Sequence, residues 1–157
     1  MSYWFLLAAT VTVLDQATKY AAEASLVEGA KVALMPGLNL TLVYNPGAAF
    51  SLFAGAGDIL AIVALAVSIA LIVWIYRLPK HDRLTALALS ALLGGALGNL
   101  WDRIFRDGRV VDFIDVYYQQ WHWPAFNVAD SAICLGAGAL LLTSFFSSSE
   151  AASGKRG

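Results

Sequence analysis

A chain of 157 residues that is 59% hydrophobic and 13% charged, with ten Lys and Arg against eleven Asp and Glu, is too apolar to clothe a small domain in a water-facing shell. Its mean hydropathy of +0.68 makes lipid the solvent for much of the chain and the class that of an integral membrane protein. The net charge of −1, with the basic residues dispersed, excludes nucleic acid as a partner. A single cysteine, Cys134, excludes an intramolecular disulfide and argues against a Cys-ligated metal; within its apolar run it reads as a small apolar side chain.

The first predicted element is a helix over about 3–22. The run from Met1 to Leu14 is uncharged but short, and reaches spanning length once Asp15 and Lys19 are admitted near one end. A cleavable signal peptide is the alternative for this run. The small residues at 22–24 favour it, while the missing basic n-region and the two charges oppose it.

A loop of about 35 residues follows. Within it Leu38-Asn39-Leu40-Thr41-Leu42-Val43-Tyr44 begins by alternating apolar and polar, as a half-buried strand does, and Asn45-Pro46-Gly47 turns the chain. Residues 59 to 76 and 84 to 101 are uncharged throughout and predict helices over about 58–77 and 84–102, joined by a tight turn at Leu78 to Arg83. In the third helix Gly94 and Gly98, with Gly95 beside them, form a small-residue face that lets another helix approach; Gly136 and Gly138 in the fourth suit the same purpose.

A loop of about 25 residues comes next. Trp101, Tyr117, Tyr118, Trp121 and Trp123 gather around it, as aromatic residues do at a membrane interface. A fourth helix is expected over about 127–146, and the Ser-rich end, 148–157, as a disordered tail. The expected fold class is therefore an all-α membrane protein: one domain over 1–147, with four transmembrane helices, a small extended (β-like) extracytoplasmic cradle over 38–53 and a surface lid over 114–125.

Four spans put both termini on one side. Arg77, Lys80 and Arg83 crowd the tight turn and Lys155 and Arg156 end the chain, which places that side in the cytoplasm, although Lys31, Arg106 and Arg109 in the other loops weaken the bias.

Polar groups are costly in lipid, so their convergence at one depth is informative. Asp15 and Lys19, Asn99, Asp102 and Arg103, and Asn127 and Asp130 all fall near the outer ends of their helices, and the loops add Asn45 and Asp112. Asp15 with Lys19, Asn99 with Arg103, and Asn127 with Asp130 stand four, four and three apart, each pair on one helix face. The plainer alternative is structural: Asp15 pairs with Lys19, Asp102 pairs with Arg103, and Asn127 caps the fourth helix.

The catalytic sets can be narrowed. The two histidines, His81 and His122, sit beside no plausible serine; no His-Glu-x-x-His pattern offers zinc ligands; Cys134 lies mid-helix, far from any base. Carboxylates remain. Asp112 and Asp130, separated by an 18-residue excursion, can meet at the membrane surface. Two carboxylates held close share a proton, so that one serves as base on water and the other as acid, but two loop aspartates are by themselves a weak signal.

Five blocks in order carry a resemblance: Asp15-Gln16-Ala17-Thr18-Lys19; Asn45-Pro46-Gly47-Ala48-Ala49-Phe50-Ser51; Gly95-Ala96-Leu97-Gly98-Asn99-Leu100-Trp101-Asp102-Arg103; Val110-Val111-Asp112-Phe113; and Phe126-Asn127-Val128-Ala129-Asp130-Ser131. In these blocks and in its helix spacing the chain resembles the lipoprotein signal peptidases, also called type II signal peptidases. Pro46 falls where that family varies, and no polar motif residue departs from its pattern. The resemblance implies a membrane aspartyl endopeptidase in the bacterial cytoplasmic (inner) membrane, with Asp112 and Asp130 as catalytic dyad. Its substrate would be a prolipoprotein cut just before its diacylglyceryl-modified lipobox cysteine. It further implies that Asn45, Gly47, Asn99, Arg103 and Asn127 shape the site around the scissile peptide and that Asp15 and Lys19 stabilise the outer end of helix one, with Asp102 beside them. No metal or cofactor is expected, the partners are prolipoprotein and membrane lipid, and the expected state is a monomer. The competing readings are a small transporter or channel lined by Asp15, Lys19, Asp102 and Arg103, and an assembly subunit packed through its glycines.

Overall fold

A computed structural model describes residues 2–47 and 57–153 of the chain. Helix α1 is Ser2–Ser25, β1 Lys31–Met35, β2 Leu38–Asn45, α2 Gly57–Arg77, α3 Arg83–Phe105, β3 Val110–Tyr118, β4 Trp121–His122 and α4 Val128–Ser153. The four helices fall where the uncharged runs put them, with ends displaced by at most seven residues. Two of them, α2 and α3, are long and apolar enough to cross a membrane. α2 exposes Ile59, Ile62, Leu65, Ile69, Val73 and Trp74, an apolar face suited to lipid.

Small residues decide how closely the helices pack. A Cβ on Gly94 would lie 2.6 Å from the side chain of Val11 and 2.7 Å from the Ala8 carbonyl, so α1 meets α3 nearly backbone to backbone. A Cβ on Gly98 would sit 2.6 Å from Asp15 Oδ2, and one on Gly136 2.7 Å from the Ala88 carbonyl. Gly138, expected to serve the same purpose, faces open space instead. Beside this seam the apolar core joins Ala8 of α1, Leu71 and Ile75 of α2, Leu78 of the turn and Leu89 and Leu93 of α3.

The sheet corrects the all-α expectation. It is four-stranded and antiparallel in the order β1-β2-β3-β4. The cradle is more sheet than loop: β1 comes from residues expected to be irregular, and β3 runs on to Tyr118, through half of the segment expected to be a lid. The remainder of the expected cradle, 48–53, lies outside the described residues. β-Branched and aromatic residues over Val110–Tyr118 favour an extended chain, and buried Asp115 accepts hydrogen bonds from Asn39 on β2 and His122 on β4 while pairing with Lys31 on β1. One carboxylate thus ties all four strands. Burial alone would raise its pKa, yet the bonds from Asn39, His122 and Lys31 outweigh that and hold it below the usual carboxylate range.

A bulge between Leu40 and Val43 shifts the β2–β3 register, so Val43 lies opposite Asp112 and Asn45 opposite Val110. Asn45 becomes the diagonal neighbour of Asp112 on the same face. At the other end of the chain α4 continues to Ser153, past the expected boundary and into the segment expected to be disordered. Ser148-Ser149-Glu150-Ala151-Ala152 contains no helix breaker, and the first glycine is Gly154.

The two glycines with opposite surroundings predict opposite outcomes. Gly98→Ala pushes a methyl into Asp15 and should lower stability by about 1–3 kcal/mol, whereas Gly138→Ala, meeting nothing, should raise it by up to about 1 kcal/mol through helix propensity. Thermal unfolding of both variants in detergent, followed by circular dichroism, distinguishes them; equal behaviour would refute the packing assignment.

Candidate active site

The site starts from a lysine that water cannot reach. Lys19 is fully buried on α1, and its three ammonium protons meet three acceptors: Asp15 Oδ2 at 2.8 Å, Asp102 Oδ2 at 2.8 Å and Asn99 Oδ1 at 3.0 Å. An unpaired ammonium would be prohibitive here, so the three partners come as a set. Each then reaches a different element. Asp15 Oδ1 accepts from the Ala129 amide at 2.8 Å, at the amino end of α4, and Asp102 Oδ2 accepts from the Val111 amide at 3.0 Å, on β3.

Asn99 turns this scaffold into an orienting device. Because its Oδ1 faces the ammonium, its Nδ2 points away and donates to Asp130 Oδ1 at 2.8 Å. Asn127 works on the other carboxylate: its Nδ2 donates to Asp112 Oδ1 at 2.7 Å, with Val111 O and Asn99 Oδ1 at 3.2 and 3.3 Å. Its Oδ1 accepts from the Asp130 amide at 2.8 Å and caps α4. One side chain therefore both caps α4 and donates to Asp112. Its position is secured by residue 126, which bridges Ile114 and receives the amides of Phe113 and Ile114 at 3.0 and 2.9 Å.

Asn45 Nδ2 donates to Asp112 Oδ2 at 3.0 Å, and Asn45 Oδ1 receives the Gly47 amide. Arg103 donates from Nη1 to the Asn99 carbonyl and from Nη2 to the Gly47 carbonyl. It does not pair with Asp102, which is engaged by Lys19 and Arg106. The buried Nε of Arg103 has no partner among the described residues. Of the sequence-predicted positions, the rest of the Asn45 block, 48–51, lies outside the described residues.

Three contributors were missed. Gln16 donates to Asp102 Oδ1 at 2.8 Å and to the Gly98 carbonyl at 3.1 Å, and Arg106 donates to Asp102, Gln16 and Glu23. For Arg106 the available signal was spacing, since Asp102 and Arg106 are four apart.

Asp112 and Asp130 line a cavity of about 660 Å³, together with Asn45, Asn99 and Arg103 on one wall and Phe126, Ile133 and Leu135 among the apolar groups of the other. Burial, reinforced by the charge of Asp130, pushes the Asp112 pKa up to about 7 against the pull of the Asn45 and Asn127 hydrogen bonds. A carboxyl whose pKa lies near neutrality, lining one cavity with a second carboxylate, is equipped for acid–base chemistry. No group of three or more His, Cys, Asp or Glu able to hold a metal occurs among the described residues.

A family model for signal peptidase (SPase) II matches residues 7–146. The chain belongs to the signal peptidase II family. This makes it a member of a protease family and a membrane protein. It is 50% identical over 147 residues to the lipoprotein signal peptidase of Teredinibacter turnerae, covering 91% of this chain and 87% of that protein. Against that of Hydrogenovibrio crunogenus the identity is 47% over 144 residues, covering 89% and 83%. Two solved bacterial membrane enzymes, determined by the in meso method, share the fold. One has a TM-score of 0.88 at 31% identity over 96% of this chain and 92% of its own, the other a TM-score of 0.81 at 32% identity over 91% and 92%.

Lys19→Met should cost about 3–5 kcal/mol, because it leaves Asp15 and Asp102 buried without their cation. Chemical unfolding of the signal peptidase II chain and its variant in matched detergent measures this; a loss well under 1 kcal/mol would show that the ammonium is dispensable.

Proposed function

We propose that the chain is a four-span aspartic endopeptidase of the bacterial inner membrane that removes signal peptides from diacylglyceryl-modified prolipoproteins, cutting just before the lipidated cysteine. The observation that carries the reading is the pair of asparagines, Asn99 and Asn127, that aim one carboxylate each into a common cavity. The shared family, and relatives named for lipoprotein signal peptidase activity, supply the substrate class.

In this reading Asp112 carries the proton at rest and Asp130 is the base. Asp130 takes a proton from water, the hydroxide adds to the carbonyl carbon of the scissile peptide, and Asp112 protonates the carbonyl oxygen. Return of a proton to the amide nitrogen then breaks the C–N bond and leaves a free carboxyl on the signal peptide and a free amine on the lipidated cysteine. Arg103, anchored through its Nη atoms to the Asn99 and Gly47 carbonyls, places a cation at the wall of the cavity beside the scissile peptide. The apolar wall of Phe126, Ile133 and Leu135 suits the acyl chains, so the substrate can enter sideways from the bilayer.

Four spans are supported by the lengths of α1 and α4, 24 and 26 residues, and by the lipid-suited residues Leu6, Val13, Leu14, Leu135, Leu141 and Leu142 on their surfaces. The basic turn at Arg77, Lys80 and Arg83 then faces the cytoplasm and the sheet lies on the outer surface.

Asp112→Asn and Asp130→Asn should each reduce cleavage of a diacylglyceryl-modified prolipoprotein by at least about 10²–10⁴-fold, the contribution of a general acid or base, while the proteins remain folded. A gel-shift assay with purified enzyme reads this directly, and substantial cutting by either variant would remove the dyad assignment. The pH profile supplies an independent check. Because the acid form of Asp112 is the active one, kcat/KM should fall about tenfold per unit as pH rises beyond about 7; a profile flat from pH 6 to about 9 would contradict the assigned proton.

A further inference from the structure

A second cavity lies at the opposite end of α3 from Arg103. It has a volume of about 340 Å³ and is lined by Tyr3 and Trp4 of α1, Ile75 of α2, Leu78 and Pro79 of the turn, Lys80, and Arg83 and Ala86 of α3. None of these residues takes part in the network around Asp112 and Asp130. We propose that this cavity binds the headgroup of an anionic phospholipid, with Lys80 and Arg83 on its phosphate and the glycerol and upper acyl chain against Leu78, Pro79 and Trp4.

Three observations combine. The first is charge: Lys80 and Arg83 are exposed, and neither has an ion-pair partner among the described residues, so two cations are available at the mouth of one hollow. The nearest acid in sequence, Asp82, is occupied as the α3 amino cap, its Oδ1 accepting the Thr85 amide at 3.2 Å. His81 is exposed between them. The second is shape: the lining sets the buried Ile75 and Ala86 and the Tyr3–Trp4 ring pair, 4.6 Å apart, beside the exposed Lys80 and Arg83 at the rim. The third is surroundings: α2 next to it exposes Ile69, Val73 and Trp74. A ligand with a charged head and a hydrocarbon tail matches a cationic rim that continues into a lipid-suited helix face, whereas a free anion would use the rim alone.

The positive-inside bias accounts for basic residues in this turn but not for a hollow between three helices with aromatic residues at its wall. The lipid would join α1, the α2–α3 turn and α3 at the end where, among the described residues, no buried ion pair holds them. This assignment requires only that the chain sits in a bilayer, and it stands or falls independently of the catalytic dyad.

Native mass spectrometry of the intact purified protein, released from detergent after addition of phosphatidylglycerol or phosphatidylcholine with the same acyl chains, tests it. The protein should retain phosphatidylglycerol in preference, and Lys80→Gln and Arg83→Gln should each reduce that retention by about fivefold, the contribution of one basic residue to an anionic headgroup. Arg77→Gln, which removes the same charge outside the cavity lining, should leave retention unchanged. Equal retention of the two lipids, or equal loss in all three variants, would overturn the site. Displacement of the bound lipid by inorganic phosphate would overturn the lipid as its occupant.

Discussion

The structure depends on one buried ammonium. Lys19 is inaccessible to water, and an ion in that position is tolerable only when every proton has an acceptor and the charge is neutralised nearby. Asp15, Asp102 and Asn99 satisfy it completely, and those three residues come from two helices that must therefore be held in a fixed rotation and height. The other oxygen of Asp15 fixes the amino end of α4, and Asp102 Oδ2, shared with the ammonium, fixes the start of β3. Tertiary geometry in a setting with little hydrophobic drive between helices is thus specified by polar groups, and the glycines allow the close approach those groups need. Gly98 in particular makes room for the carboxylate of Asp15.

Much of this was legible in the sequence and some was not, for physical reasons. The uncharged runs at 59–76 and 84–101 read as helices because lipid leaves an apolar chain few other options. Asp15 and Lys19 read as a pair because they are one turn apart. The pairing of Asp102 with Arg103 was the poorer alternative from the start, since successive helical residues point about 100° apart; the four-residue spacing of Asp102 and Arg106 is the one the structure uses. The sheet was harder. β3 pairs with β2 from about 70 residues away, and the bulge near Thr41 changes which β2 residues face Asp112, so neither partner nor register is a local property. Aromatic residues at 117–123 signal an interface equally well as strand or as lid, which is why this stretch reads as a lid and β3 is not foreseen.

Asn127 shows how a cap and a site residue coincide. Helix α4 needs an acceptor for its first amides, and asparagine is among the best residues for that position. An asparagine also leaves two donor protons free, and here they go to Asp112 and its neighbourhood. Aspartate would cap as well but would place a third carboxylate beside Asp112 and Asp130, and serine would cap but could not reach two elements at once. The demand of the helix and the demand of the cavity select the same side chain.

The choice of amides around the two carboxylates has an electrostatic logic. A cation in direct contact with Asp112 would stabilise its ionised form and keep its proton from being held at neutral pH. Lys19 is instead one residue removed, behind Asn99, with two carboxylates of its own, and its pull on Asp112 is the weakest of the influences on that group. The ammonium's donor power still reaches the site, because it fixes which end of the Asn99 amide faces Asp130. Direction is transmitted while charge is screened. Asp112 is left with burial and a like charge as its dominant influences, both of which favour the protonated form. The same burial makes the ionised form of Asp112 a destabilising element: its folded pKa lies above the unfolded value, so stability is lost as pH rises from about 4 to about 7. The ion network that ties α1, α3, α4 and β3 together offsets that cost at the position where the proposed acid–base chemistry would use it.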